Sequence, residues 1–258
     1  MDEAAKKWIY WTIPIVVVIG LAAALYYGRK QREAATEPAA VTEPAATSSE
    51  PAIQHPIEEE PDAPLPTLEE SDPALLESVR DLFGGALEPF LIPQNIVRHI
   101  VVTVDNLPRK KLAVERRPLK PTPGVLVTSG AAEPTLSPEN AKRYDPLMKI
   151  VESADMARVA AVYRRFYPLF QQAYVDLGYP QGYFNDRLVE VIDHLLATPE
   201  VQGPIKLTQP SVFYEFADPE LEQRSAGQKL LIRMGNEHAA TIKAKLRQFR
   251  EEITSMSP

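Results

Sequence analysis

The sequence predicts a mainly α protein in three parts: one N-terminal transmembrane helix, a disordered Pro/Ala/Glu tether, and a compact helical domain with a minor β element. Three observations lead there. Residues 8–27 are uncharged; residues 33–72 carry eleven acidic side chains and no Lys or Arg; beyond residue 71 apolar residues recur at i, i+3, i+4 spacing between helix-start and helix-stop signals. The boundaries that follow are a tail at 1–7, a span at 8–28, a juxtamembrane and tether region at 29–70, and a globular domain at 71–254.

The span reads WIYWTIPIVVVIGLAAALYY. At about 1.5 Å per residue its twenty residues reach roughly 30 Å, the thickness of a bilayer's hydrocarbon layer. Trp8, Trp11, Tyr26 and Tyr27 stand at its ends, where amphipathic rings favour the headgroup boundary, and Lys6, Lys7, Arg29, Lys30 and Arg32 bracket it. The competing reading is a cleaved signal peptide ending near Ala22-Ala23-Ala24. An aromatic pair followed by basic residues describes the far edge of a span better than a cleavage region, so an uncleaved anchor in a bacterial inner membrane is expected. The positive-inside rule separates the two orientations by a single charge. The tether's likeness to those of periplasmic proteins favours N-in, with the domain in the periplasm. The cytoplasmic orientation stays open.

Residues 33–70 contain seven prolines, no glycine, no aromatic residue and the repeat TEPAA at 36–40 and 42–46. Such a composition buries too little apolar surface to offset ordering. Its reach lies between a coil of about 35 Å and a polyproline rod of roughly 120 Å. His55, alone in this acidic stretch, is assigned no role.

The domain's elements follow in order. Asp72-Pro73 starts a helix that Gly84-Gly85 ends, and Pro93 precedes a second through Leu107. Arg109 to Lys120 is a basic loop; Val125 to Thr128 is a short strand; Ser137-Pro138 and Asp145-Pro146 start two short helices. A helix from Asp155 to Gly178 carries Tyr163, Phe166, Phe170 and Tyr174 on one face, a stripe that belongs in a core, and Pro168 should kink or split it. A helix over 183–197, a strand at Val212 to Phe216, a short helix after Asp218-Pro219 and two helices separated by Gly235 complete the chain.

Charge and composition exclude several functions. The chain carries a formal charge of -7, but residues 73–258 hold 23 basic against 22 acidic side chains, which gives no electrostatic case for nucleic acid. Without cysteine there is no disulfide scaffold, thiol nucleophile or Cys-ligated metal. Dinucleotide, phosphate-loop, serine-hydrolase and calcium-loop motifs do not occur, so no cofactor is expected.

Four groups of residues remain as candidates. Glu190 and His194 lie one turn apart on one helix face, as an acid/base pair would, although a salt-bridged surface is the better reading of them. No metal is expected from them, because no zinc-type spacing includes them. Arg109, Lys110, Lys111, Arg116 and Arg117 form the basic loop, a patch for anionic lipid, glycan or an acidic partner, or an ordinary solvated surface. Arg164, Arg165, Arg187 and Arg233 are candidate anion contacts. Ala239, Ile242, Leu246, Phe249 and Ile253 give the last helix an apolar side open to a bundled partner or a second copy.

Five runs taken together, VVTVDNLPRKKL at 101–112, RRFYPLFQQAYVDLGYP at 164–180, YFNDRLVEVIDHLLATPE at 183–200, YEFADPELE and QKLLIRMGNEH, resemble the proteobacterial domain of unknown function numbered 3014, over roughly residues 66–253. The resemblance implies an N-terminal membrane segment and a proline-rich tether, and brings no catalytic residue. The expected function is a binding or scaffold domain presented on a tether to an envelope protein or polymer, with an envelope enzyme as the alternative.

Overall fold

The structure, a computed structural model, describes residues 52–57 and 64–255. The expected span at 8–28 and its interface residues Trp8, Trp11, Tyr26 and Tyr27 lie outside the described residues. Among the described residues no helix is long and apolar enough to cross a membrane.

Helix α1 (Asp72–Phe83) starts with Pro73 in its first turn and ends at Gly84, whose φ of 58° suits glycine. Asp72 does not cap this helix. Its carboxylate accepts from the amides of Asn95 and Ile96 at 2.7 and 2.8 Å, at the start of α2 (Ile96–Asn106). Helix α2 therefore begins at Ile96, three residues after Pro93, with Asn95 turning the chain at φ 52°.

A 3-10 stretch (Pro138–Tyr144), capped by Ser137, leads into α3 (Asp145–Ser153). Helix α4 (Met156–Asp176) is capped by the Asp155 carboxylate, which accepts from the amides of Ala157 and Arg158. Of the two outcomes expected at Pro168, a kink or a split, the split does not occur: α4 runs unbroken through it. A mid-helix proline costs about 3 kcal/mol. Its neighbours Phe166, Tyr167, Leu169 and Phe170 are all buried, at roughly 1.5–3 kcal/mol each, so packing wins.

Helices α5 (Phe184–Leu196), α6 (Pro219–Glu222, capped by Asp218), α7 (Ala226–Met234) and α8 (Asn236–Thr254) follow. Helix α4 packs against α1, α2, α5 and α8, while α3 and α7 also rest on α8. The main core gathers Ile96, Val97 and Val101 of α2, the aromatic stripe of α4, Phe184 and Ile192 of α5, and Ile253 of α8. A second cluster joins Met148, Val191, Leu195, Leu231, Met234 and Ala239. Helix α5 thus buries two faces, which explains why its apolar pattern is broader than a single stripe.

The β element consists of two antiparallel hairpins, β1 (Thr128–Ser129) with β2 (Thr135–Leu136), and β3 (Leu207–Thr208) with β4 (Glu215–Phe216). An antiparallel bridge between Thr135 and Lys206 joins them over a small cluster of Leu207, Phe216, Leu221 and Ile232. The first expected strand is shifted and the second is shortened. Val125 to Val127 precede β1, and only Glu215 and Phe216 of the 212–216 run pair. The register Leu207 with Phe216 leaves 209–214 as the connecting loop, where Pro210 has no amide to donate, and Val212 and Phe213 are left 83% and 77% exposed.

Gly227, in the first turn of α7, donates its amide to the Leu107 carbonyl at 2.9 Å. A β-carbon there would lie 2.6 Å from Leu195 Cδ2 and 3.1 Å from that carbonyl. Gly227→Ala is expected to cost about 1–3 kcal/mol, read as a lower urea midpoint with an unchanged slope.

Candidate functional site

Asp105 lies on the buried side of α2 and is 2% exposed. Its carboxylate accepts from Arg109 at 2.5 Å, from Arg187 at 3.2 Å and from the Tyr179 hydroxyl at 3.2 Å. Arg187 also donates to Glu190 at 2.8 Å and to the Asp105 carbonyl at 3.1 Å, and Arg109 to the Tyr179 hydroxyl at 2.9 Å. Three sequence candidates from two regions, Arg109 beyond α2 and Arg187 and Glu190 on α5, therefore meet at one centre. Two guanidinium and two carboxylate groups balance there, and every nitrogen of Arg187 already donates within the chain. The centre pins α2 to α5 rather than presenting a charge.

Sequence reasoning passed over Asp105 and Tyr179. The available signal was a carboxylate four residues after Val101 and next to Val104, on the apolar side of a helix, where a charge needs a partner.

The other basic candidates disperse. Lys110 donates to the Gln223 carbonyl, and Lys120 to that of Pro89 at 2.8 Å. Arg117 is half-buried, while Lys111 and Arg116 are exposed, Arg116 as the last residue of the short 3-10 turn Val114–Arg116. Arg164 donates to the Glu252 carbonyl at 2.7 Å; Arg165 lies over the Phe166 ring; Arg233 lies over the Phe216 ring at 5.0 Å and donates to the Tyr214 carbonyl.

Glu190 and His194 share a face but not a partner. Glu190 is held by Arg187, whereas His194 Nε2 meets Ser225 Oγ at 2.8 Å and the His194 carbonyl accepts from Gln228 at 3.0 Å. Ser225 is buried and caps α7 by accepting from the Gln228 amide, so this contact fastens α5 to α7. Among the described residues no three His, Asp or Glu side chains are placed to hold a metal ion.

An apolar cleft of about 390 Å³ opens between Phe83 at the end of α1 and Leu87 beyond it, Leu147 of α3, Met156 and Val159 of α4, and Leu246 and Phe249 of α8. Lys245 is its single charged lining residue and donates to the Ala154 carbonyl at 2.7 Å. A second cleft of about 310 Å³ shares Leu119 and Leu147 with it and runs beneath the basic loop, edged by Arg117 and Lys120. The apolar side of α8 is thus turned into the core and this cleft.

These features define a mainly helical domain with an internally neutralised polar centre and an open apolar cleft beside a basic loop. The chain belongs to the family of a protein of unknown function, DUF3014, whose model matches residues 96–250. The match runs from the first residue of α2 to the last turns of α8. Among curated proteins and among solved structures, nothing matches the chain.

Breaking the buried centre by Asp105→Ala removes the acceptor shared by Arg109, Arg187 and Tyr179, leaves Arg187 only its pair with the exposed Glu190, and should cost about 3–5 kcal/mol. Asp193→Ala, which removes the half-exposed pair with Arg250 at 2.7 Å, should cost under about 1 kcal/mol. Equilibrium unfolding of both variants checks the contrast.

His99 of α2 is held below the ordinary imidazole value of 6.5, first by burial and then by the Arg116 charge, with Asp72 opposing. The folded state therefore disfavours the proton. As pH falls through 6.5 the unfolded chain takes it up first, and stability declines until folded His99 also protonates. His99→Gln should flatten this part of the melting-temperature profile below pH 6.5 and change nothing above it.

Proposed function

We propose that the chain is a single-pass protein of a bacterial inner membrane that presents its helical domain on the proline-rich tether that follows the span, in the periplasm, as a non-enzymatic binding or scaffold module. The uncharged run at 8–27 with its aromatic ends supports the anchor, and the proline-rich acidic stretch supports the tether. The observation that carries the binding reading is the apolar cleft with its basic edge. A cleft that offers apolar surface and almost no hydrogen-bonding groups suits the apolar side of a protein segment with acidic flanks, and suits a glycan or a polar substrate poorly. The partner is accordingly an envelope protein rather than an envelope polymer.

A photo-crosslinking residue at Leu147, on the wall shared by both clefts, should capture a discrete product in cells. The same residue at Val212, on the exposed hairpin loop, should not. Identical products from both positions would refute the assignment of the cleft. C-terminal fusions read the topology separately: alkaline phosphatase activity with a dark cytoplasmic fluorophore is expected, and the reverse would move the domain to the cytoplasm.

A further inference from the structure

Residues 52–57, inside the stretch that the sequence assigns to a free tether, lie against the N-terminus of α5. The Asp186 carboxylate accepts from two consecutive amides, Gln54 at 3.0 Å and His55 at 2.7 Å. Asn185 Nδ2 donates to the His55 carbonyl at 2.8 Å, and the Tyr183 hydroxyl accepts from the Ile57 amide at 2.7 Å. Ile57 packs on the main core, while Ile53, Gln54 and Pro56 stay exposed. Four main-chain groups and one aliphatic side chain are therefore read; the remaining side chains are not.

Asn185 gives this contact a built partner. It is fully buried, its Oδ1 accepts from Tyr163 at 3.1 Å, and its Nδ2 donates also to the Ile253 carbonyl at 3.1 Å. The second Nδ2 hydrogen has the His55 carbonyl as its partner, and an amide hydrogen left unmet at such a site is costly. The site is built around a peptide carbonyl.

We propose that Tyr183, Asn185 and Asp186 form a peptide-binding cleft that reads the main chain of an extended segment with one aliphatic anchor, and that the chain's own residues 52–57 fill it in cis as a releasable latch. The latch moves the point at which the tether leaves the domain. Release of residues 52–57 would add roughly 20 Å of extended chain to the free tether, a consequence that rests on the tethered reading, whereas occupancy of the cleft does not.

Hydrogen–deuterium exchange of the full chain in detergent micelles, with the 52–57 segment followed by mass spectrometry, tests the proposal. The segment should exchange at least about tenfold more slowly than an unstructured peptide. Asp186→Ala, and Ile57→Asp on the segment itself, should each abolish that protection while α4 and α8 keep theirs. An excess of synthetic peptide spanning residues 50–59 should also release the segment. Exchange of the wild-type segment at the unstructured rate, or no response to the peptide, would overturn the cleft. Protection that rises with chain concentration would instead identify a second copy as the occupant and overturn the cis assignment. None of these readings depends on which side of the membrane the domain occupies.

Discussion

The Asn185 side chain is the contact on which the rest of the domain is hung. It is an amide with no solvent exposure at the second residue of α5, and each of its polar directions ends on a different element: Tyr163 of α4, the Ile253 carbonyl at the end of α8, and the His55 carbonyl of the docked segment. Its own amide donates to the Tyr167 hydroxyl at 3.4 Å. Around it Gln171 donates to the Gly182 carbonyl and accepts from the Phe184 amide, so the approach to α5 is fixed by side chains of α4. A buried polar group of this kind tolerates one arrangement of its neighbours, because any slip leaves a donor or acceptor unmet at a cost of about 1–3 kcal/mol. The apolar contacts of α4, α5 and α8 supply most of the stabilisation; Asn185 selects their register.

The same logic recurs in the placement of carboxylates. Asp72 opens α1 but serves the amides that begin α2, and Asp186 lies in α5 but serves the amides of residues 54 and 55. Asp105 sits in α2 and gathers Arg187 from α5. Glu222 of α6 accepts from Lys229 of α7 at 2.6 Å and from the Phe216 amide of β4 at 2.9 Å. Burial alone would raise this carboxyl; the Lys229 and Phe216 hydrogen bonds, with the Lys229 and Arg233 charges, outweigh it and hold it below the ordinary carboxylate range. Each of these acids ties two elements together, which suits a domain whose hairpins have only two residues per strand and whose helices must be held by means other than a sheet.

How far the sequence can be read follows from the range of the forces involved. Helix existence was legible, since caps and apolar spacing act within four residues: Asp155, Asp218 and Gly235 mark boundaries of α4, α6, α7 and α8 where the local signals place them. Whether Pro168 would split its helix was not legible locally, because the penalty is local and the compensation, four buried neighbours, is tertiary. The strand at 212–216 was overextended because register depends on a partner, Leu207, that local pattern does not name. Among the candidate site residues, proximity in sequence joined Glu190 to His194, whereas the fold joins Glu190 to Arg187, Asp105 and Arg109. The docked segment was illegible for a related reason. Composition shows that residues 52–57 cannot order themselves, but their partners are amide-binding side chains about 130 residues away.

The apolar cleft and the peptide cleft share α8 and a line of contact, since Phe249 lines the first and touches the Tyr163 ring edge-on at 5.7 Å, while Tyr163 donates to Asn185 in the second. Contiguity of this sort transmits a signal only if some element along it has two arrangements. Tyr163 has one seat: its ring meets Tyr167, Phe170 and Phe249 at 5.4 to 5.7 Å and its hydroxyl is committed to a buried amide. Burial also pushes that hydroxyl's pKa upward, with the nearby Tyr183 adding to the effect, so it remains the donor that Asn185 Oδ1 requires across the physiological range. A rigid junction couples the two clefts in position but not in occupancy, and a partner seated on Phe249 would leave the latch as it was.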